Sequence, residues 1–247
     1  MRKIFFWFLI LSFIFDFNFS LSAEEIKEPN VAGTFYPDNL QELSLMIDDF
    51  LEKVNPPSIK ADIFGLILPH AGYIYSGKTA SFGYKLIKEK SYRTVIIMGP
   101  SHYYGFKGIS IYPEGKFRIP LGDIEIDKEF TQKLLFKDKD IIFEPKAFER
   151  EHSIEVQLPF LKKVLSDFKI VPVVMGHNDL EILKRFVSLL KEAISQRKDI
   201  LVIASSDMYH GYDYELCSLV DKMGLNYLKS MDVENLYKAI LEEKVQF

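Results

Sequence analysis

Three short polar stretches each follow an apolar run and each carry a histidine. His70 lies in PHAGY, His102 in GPSHY, and Asp207 and His210 share SSDMYH. Imidazole is the commonest metal-ligand side chain, and two histidines with a carboxylate or thiolate suit non-haem iron or catalytic zinc. A histidine in such a position can also serve only as a hydrogen-bonding loop residue. The spacing therefore leaves two readings open, a metal site and three separate loops.

The runs that precede these histidines predict three strands, at 63–68, 94–98 and 200–204. Ligand-binding groups in open α/β sheets gather beyond the carboxyl ends of the strands. If the three strands belong to one sheet, the histidines that follow them meet at one edge.

A further polar cluster contains Glu151, His152 and Glu155, in the stretch EREHSIE. Acidic residues in the first turn of a helix interact favourably with its dipole, so the cluster could serve only to begin a helix. Alternatively, His152 is a proton donor or orients metal ligands beside the site. His152, Asp207 and His210 are therefore the candidates for catalytic roles.

Two other groups near the histidines have weaker functional signals. Ser205 and Ser206 precede Asp207, but the chain has no GxSxG nucleophile motif, so we expect the serines to cap a turn. Tyrosines also cluster around the histidines. They either line a ligand pocket or pack with a solvated hydroxyl group; they are Tyr73, Tyr75, Tyr103, Tyr104 and Tyr209.

Strands and helices alternate along the chain, which predicts one α/β domain with a mainly parallel central sheet flanked by helices. A helix is predicted over 76–90, between the first two histidine-bearing strands. Residues 104–127 contain short β-like pieces separated by PEG and PLG, which predict a hairpin. Residues 153–168 are predicted to be helical, with Pro159 marking a kink or the start of the helix.

Composition excludes some classes of partner and covalent cross-link. The chain has 247 residues, a hydrophobic fraction of 48% and a net charge of −4, with its basic residues scattered among acids. This pattern argues against nucleic acid as a partner. Cys217 is the single cysteine, so no intrachain disulfide can form.

The N-terminus predicts export. Residues 1–23 consist of a basic start, an apolar stretch of about a dozen residues and a short small-residue segment, the layout of a secretory signal peptide. The apolar stretch is shorter than the ~20 residues that span a bilayer, so a membrane anchor is the alternative. We expect a secreted or periplasmic protein that contacts membrane only through this segment, with 24–247 as the folded domain.

The motifs from residue 30 onward resemble those of the Memo family, which includes AmmeMemoRadiSam system protein B. They occur in the family's order: VAGTFYP at 31–37, LPHAGYIYSG at 68–77, GPSHY at 99–103, PLGDIEID at 120–127, EHSIEVQLPFL at 151–161, VPVVMG at 171–176 and SSDMYH at 205–210. The family in turn resembles the LigB-type class III extradiol dioxygenases, which implies an α/β sheet with a metal pocket.

The resemblance implies a role for each candidate residue. His70 and His102 match the family's two histidine metal ligands, Asp207 and His210 match polar residues that line the pocket, and His152 lies in the matching EHS motif. Iron is the implied metal, and copper or zinc are alternatives.

One family feature does not match. The family's third ligand is a cysteine in a Cys-Gly-Arg segment, and the chain ends at Phe247 before such a segment. Cys217 does not match that position. We therefore expect the chain to lack the C-terminal part of the family fold.

Two functions follow. The first is a metal-dependent redox enzyme in which Fe(II) is held by His70 and His102, and the second is a binding module that keeps the pocket for a peptide or small molecule without turnover. Zinc-dependent hydrolysis is a weaker third option because the chain has no HExxH motif.

Overall fold

The structure is a computed structural model that describes residues 25–177 and 179–246. The predicted signal peptide at residues 1–23 lies outside these ranges. In the described part of the chain, no helix has the length and apolar character needed to cross a membrane.

The described residues form nine strands and eight α-helices. The strands are β1 (Ile26–Lys27), β2 (Gly65–Leu68), β3 (Thr94–Pro100), β4 (Ile109–Ile111), β5 (Lys116–Ile119), β6 (Gly122–Glu125), β7 (Ile141–Ile142), β8 (Lys169–Met175) and β9 (Ile200–Ser205). The helices are α1 (Leu40–Lys53), α2 (Tyr73–Ile87), α3 (Lys128–Leu134), α4 (Lys146–Glu149), α5 (Leu158–Val164), α6 (Leu180–Ile194), α7 (Tyr214–Ser230) and α8 (Val233–Leu241).

Six strands form the central sheet in the order β2-β9-β3-β8-β4-β7. All neighbours are parallel except β4 and β8, which are antiparallel. A smaller sheet has the order β1-β5-β6. The predicted α/β domain with a mainly parallel sheet is therefore confirmed.

Helices cover both faces of the central sheet, and successive side chains of a strand point alternately to the two faces. In β3, Val95 and Ile97 join the core that contains α1, α2 and α5. Between them, Ile96 joins the core that contains α3 and α6. The near-continuous apolar runs in the sequence reflect this burial on both faces.

Three details differ from the sequence prediction. Helix α2 begins at Tyr73, one turn before the predicted start, with Gly72 as its N-cap residue. The predicted hairpin consists of β5 and β6, whereas β4 joins the central sheet. The predicted helix at 153–168 is a 3₁₀ turn followed by α5, and Pro159 lies in the first turn of α5, where its missing N–H costs no helical hydrogen bond.

One close approach holds the sheet against the segment that carries His152. A Cβ atom built on Gly99, near the end of β3, would lie 2.3 Å from Ser153 Oγ and 2.7 Å from Ser153 Cβ. The Ser153 hydroxyl group donates a hydrogen bond to the Pro100 carbonyl at 3.1 Å. Only glycine at position 99 leaves room for this contact.

We expect Gly99→Ala to lower the free energy of unfolding by about 1–3 kcal/mol, because the added methyl group overpacks a buried contact. Gly105→Ala is the matched control, since the atom nearest to its added Cβ would be 3.9 Å away. Urea denaturation of both variants measures the difference. Equal stability of the two variants would contradict the close approach.

Candidate metal centre

Neighbouring strands bring the predicted site residues to one edge of the central sheet. His70 follows β2, His102 follows β3, and Asp207 and His210 follow β9. Strand β9 lies between β2 and β3, and all three are parallel. The carboxyl ends of these strands therefore meet, which is the arrangement expected for a site in an α/β sheet.

His152 enters the same place from the loop between α4 and α5. One ring nitrogen from each of His70, His102 and His152 can be chosen so that all three lie within 4.8 Å of one another. The rings of His102 and His152 are stacked, with centroids 4.4 Å apart, and the His70 ring meets both of them edge-on at 5.1 and 5.5 Å. These three residues, here called the histidine triad, have the composition and spacing of a metal-binding group.

Glu151 orients His102. Its buried carboxylate lies 2.8 Å from His102 Nδ1 and accepts hydrogen bonds from the backbone N–H groups of His102, His152 and Ser153. Burial alone would raise the pKa of Glu151, but the hydrogen bonds from His102 and Ser153 outweigh it and lower the pKa to about 2. Because an ionised carboxylate only accepts, His102 Nδ1 must carry a hydrogen, and in the neutral ring Nε2 is the free ligand atom. The same hydrogen bond raises the pKa of His102, so metal binding at Nε2 competes with a proton.

A second buried network orients His70. The Ser205 hydroxyl group donates to the Ser153 carbonyl at 2.6 Å and lies 3.1 Å from His70 Nδ1. A hydroxyl group has one hydrogen, so Ser205 must accept from His70 Nδ1–H, and His70 Nε2 is free. Gln157 donates to Ser205 Oγ at 2.7 Å and accepts from Tyr84, which fixes the network to the core.

The third ring, His152, has an unusual environment. Its Nδ1 atom is the single buried side-chain nitrogen or oxygen in the described ranges that has no hydrogen-bond partner. Burial, with smaller contributions from the neighbouring rings of His102 and His70, lowers the pKa of His152 to about 4. A neutral imidazole with an unpaired buried nitrogen is the state that binds a metal ion, and such orphaned groups mark functional positions.

Asp207 and His210 border the triad without joining it. Asp207 Oδ1 accepts from the backbone N–H groups of His70 and Ala71 at 2.6 and 3.2 Å, and Oδ2 lies 3.9 Å from His70 Nε2. The His210 side chain is 71% exposed, and its Nε2 lies 3.6 Å from Asp207 Oδ2. Asp207 therefore holds the turn that carries His70, whereas His210 faces solvent.

A cavity of about 830 Å³ opens beside these residues. Its polar wall includes His70, His102, Asp207 and His210. Apolar side chains of Met208, Ile240 and Val245 also line the cavity, together with Pro100, Glu243 and Gln246. A small molecule could enter this cavity and contact two members of the triad, His70 and His102.

Sequence reasoning did not assign the residues that orient the triad. Ser205 does not cap a turn, as was predicted, but lies buried behind His70. Glu155 lies in the first turn of the 3₁₀ helix, as the helix-start interpretation expects, and its carboxylate also accepts hydrogen bonds from Asn30 N, Val31 N and the Tyr36 hydroxyl group. The position of Ser205 at the carboxyl end of β9 was the one available signal.

The chain also matches known proteins over most of its length. The family model described as Memo-like protein matches residues 27–247. The chain belongs to the Memo family.

Relatives from archaea agree with this assignment. A MEMO1 family protein of Nitrosopumilus maritimus is 33% identical over 225 residues, which covers 89% of this chain and 82% of the relative. A MEMO1 family protein of Desulfurococcus amylolyticus is 36% identical over 230 residues, which covers 89% of this chain and 81% of the relative. The Memo resemblance inferred from the sequence motifs is thus confirmed.

We expect Glu151→Gln to lower the free energy of unfolding by roughly 3 kcal/mol at pH 7, since a pKa unit corresponds to 1.36 kcal/mol and the pKa falls from 4.5 to about 2. A carboxylate with a lowered pKa stabilises the fold above its unfolded pKa. The stabilisation is lost as the pH falls through the window from 4.5 to 2.

The measurement is urea denaturation of wild type and variant across that pH window. The difference between them should shrink as the pH falls. The exposed neighbour Glu149 supplies the matched control, and Glu149→Gln should stay within about 0.5 kcal/mol of wild type at each pH. A constant difference between wild type and Glu151→Gln would show that Glu151 is not ionised in the folded protein.

Proposed function

We propose that this Memo family protein binds one transition-metal ion at the histidine triad, with Fe(II) as the metal and copper or zinc as alternatives. The convergence of His70, His102 and His152 is the observation that supports the proposal. Imidazole nitrogen suits iron, copper and zinc alike, so the donor set favours this group of metals over Mg²⁺ or Ca²⁺.

The residues around the triad fit such an ion. Glu151 and Ser205 hold the Nδ1–H groups of His102 and His70, and partners of this kind fix the tautomer and raise the basicity of a ligating histidine. His152 contributes a neutral ring whose buried Nδ1 is unpaired. The cavity leaves room for a ligand on the open side of the triad.

We further propose an iron or copper redox role in a pocket like that of the LigB-type dioxygenases. A bound metal ion would supply Lewis acidity and electron transfer. The chain itself would position the ligand against the triad. Asp207, whose Oδ2 faces both His70 and His210, is placed to hold or move a proton at the edge of the cavity.

A non-catalytic binding module is the second proposed function. It is supported by the apolar cavity wall formed by Met208, Ile240 and Val245, which suits a peptide or small molecule. The negative net charge supports a partner other than nucleic acid. Residues 1–23 support a secreted or periplasmic location, with membrane anchoring as the alternative.

We expect the purified full chain to take up one equivalent of Fe(II) or Co(II) under anaerobic conditions. His70→Ala and His152→Ala should each weaken metal binding at least 100-fold, because each removes one of three ligands. His177→Ala is the matched control, since His177 lies outside the triad, and it should bind metal like wild type. Elemental analysis and metal titration provide the measurement.

If the wild-type chain takes up none of the four ions Fe(II), Co(II), Cu(II) and Zn(II), the proposed metal site is wrong. In that case the non-catalytic binding module becomes the favoured function. Binding that survives in both histidine variants would place the metal elsewhere.

We expect Ser205→Ala to weaken metal binding by about 10- to 100-fold, because His70 Nδ1–H loses its acceptor and the ring loses its orientation. Ser206→Ala is the matched control: its hydroxyl group makes only a 3.3 Å contact with the Asp207 carbonyl. Metal titration of both variants tests the role of the network. Equal affinities would show that Ser205 does not orient His70.

A further inference from the structure

Arg150 stands apart from the other arginines of the described ranges. Arg93, Arg118, Arg185 and Arg197 each form an ion pair with at least one carboxylate. Arg150 is exposed and forms no such pair with any described residue. Its guanidinium carbon instead lies over the Tyr103 ring, 4.9 Å from the centroid.

This unpaired guanidinium lies next to the histidine triad. The Tyr103 ring is 5.8 Å from the His152 ring and 6.2 Å from the His102 ring, measured between centroids. Arg150 is also two residues before His152 in the chain. A single aromatic ring therefore separates the cation from two members of the triad.

The contact with Tyr103 prepares Arg150 to bind a ligand. Stacking on an aromatic ring restricts the guanidinium group but leaves the N–H donors at its edge free. Those donors match the two oxygens of a carboxylate in a bidentate pair. A preorganised cation with free donors beside a metal-binding group has the properties of a substrate-recognition residue.

We propose that Arg150 binds the carboxylate of a small organic ligand whose other end reaches the histidine triad, with Tyr103 forming the wall between the two ends. The inference rests on the proposed metal site and adds the chemical class of its ligand. A carboxylate suits the position better than a dianion, because one guanidinium group stacks on Tyr103 and the charges of the preceding residues Glu144, Lys146 and Glu149 add no net positive charge.

The test compares two metal chelators that differ only by a carboxylate, benzohydroxamate and 4-carboxybenzohydroxamate. Each is titrated into the Co(II)-loaded full chain, and the visible absorption of Co(II) reports binding. We expect wild type to bind the carboxylated chelator at least about tenfold more tightly, because a charge-assisted hydrogen bond contributes more than one tenfold step in affinity.

Arg150→Gln should abolish this preference while leaving the affinity for benzohydroxamate unchanged. Arg93→Gln is the matched control, because it removes an exposed positive charge at the start of β3, the opposite end of the sheet, and it should keep the preference. The uncharged chelator also reports whether each variant keeps an intact site.

Three results overturn the inference alone. Equal affinity of wild type for the two chelators removes the carboxylate from the ligand class, and a preference that persists in Arg150→Gln removes Arg150 from the site. A Co(II)-loaded protein that binds neither chelator shows that no small ligand reaches the metal. Failure of the protein to bind Co(II) overturns the proposed metal site together with the inference.

Discussion

The buried carboxylate of Glu151 is the interaction on which the site depends. It accepts hydrogen bonds from the backbone and the ring of His102, and from the backbone N–H groups of His152 and Ser153. A charged group can remain buried only when its hydrogen bonds compensate for the lost solvation, and here they do so strongly enough to lower its pKa. This single group therefore joins the turn after β3 to the loop that carries His152, and it brings two histidines of the triad into stacked contact.

The remaining order of the site comes from segments far apart in the chain. Glu155 binds the backbone and the tyrosine of the 30–36 loop, and Phe35 of that loop packs on the His152 ring at a centroid distance of 4.7 Å. On the other side, the Ser205 network connects His70 to α2 and to the 3₁₀ turn before α5. Each ring is thus held by contacts that exist only in the folded chain.

How far the sequence predicts this structure depends on the range of the interactions. The strands before His70, His102 and His210 were predicted because apolar, β-branched runs are a local signal, and their parallel arrangement follows from the alternation with helices. The family motifs pointed to His70 and His102. The roles of Ser205 and Glu155 were not predictable, because their partners Ser153 and Asn30 lie 52 and 125 residues away. The early start of α2 was missed for a different reason: Gly72 caps the helix without a side-chain hydrogen bond, so the usual Ser, Thr or Asp signal is missing.

The position of β2 in the sheet has a dynamic consequence. Within the described chain, β9 is its single strand partner, and two of its four residues, Gly65 and Ile67, are exposed. Edge strands with one partner open at a lower free-energy cost than central strands. His70 follows this edge strand, whereas His102 follows the central strand β3. Local opening at β2 would therefore move His70 away from the other two rings while the centre of the sheet stays folded.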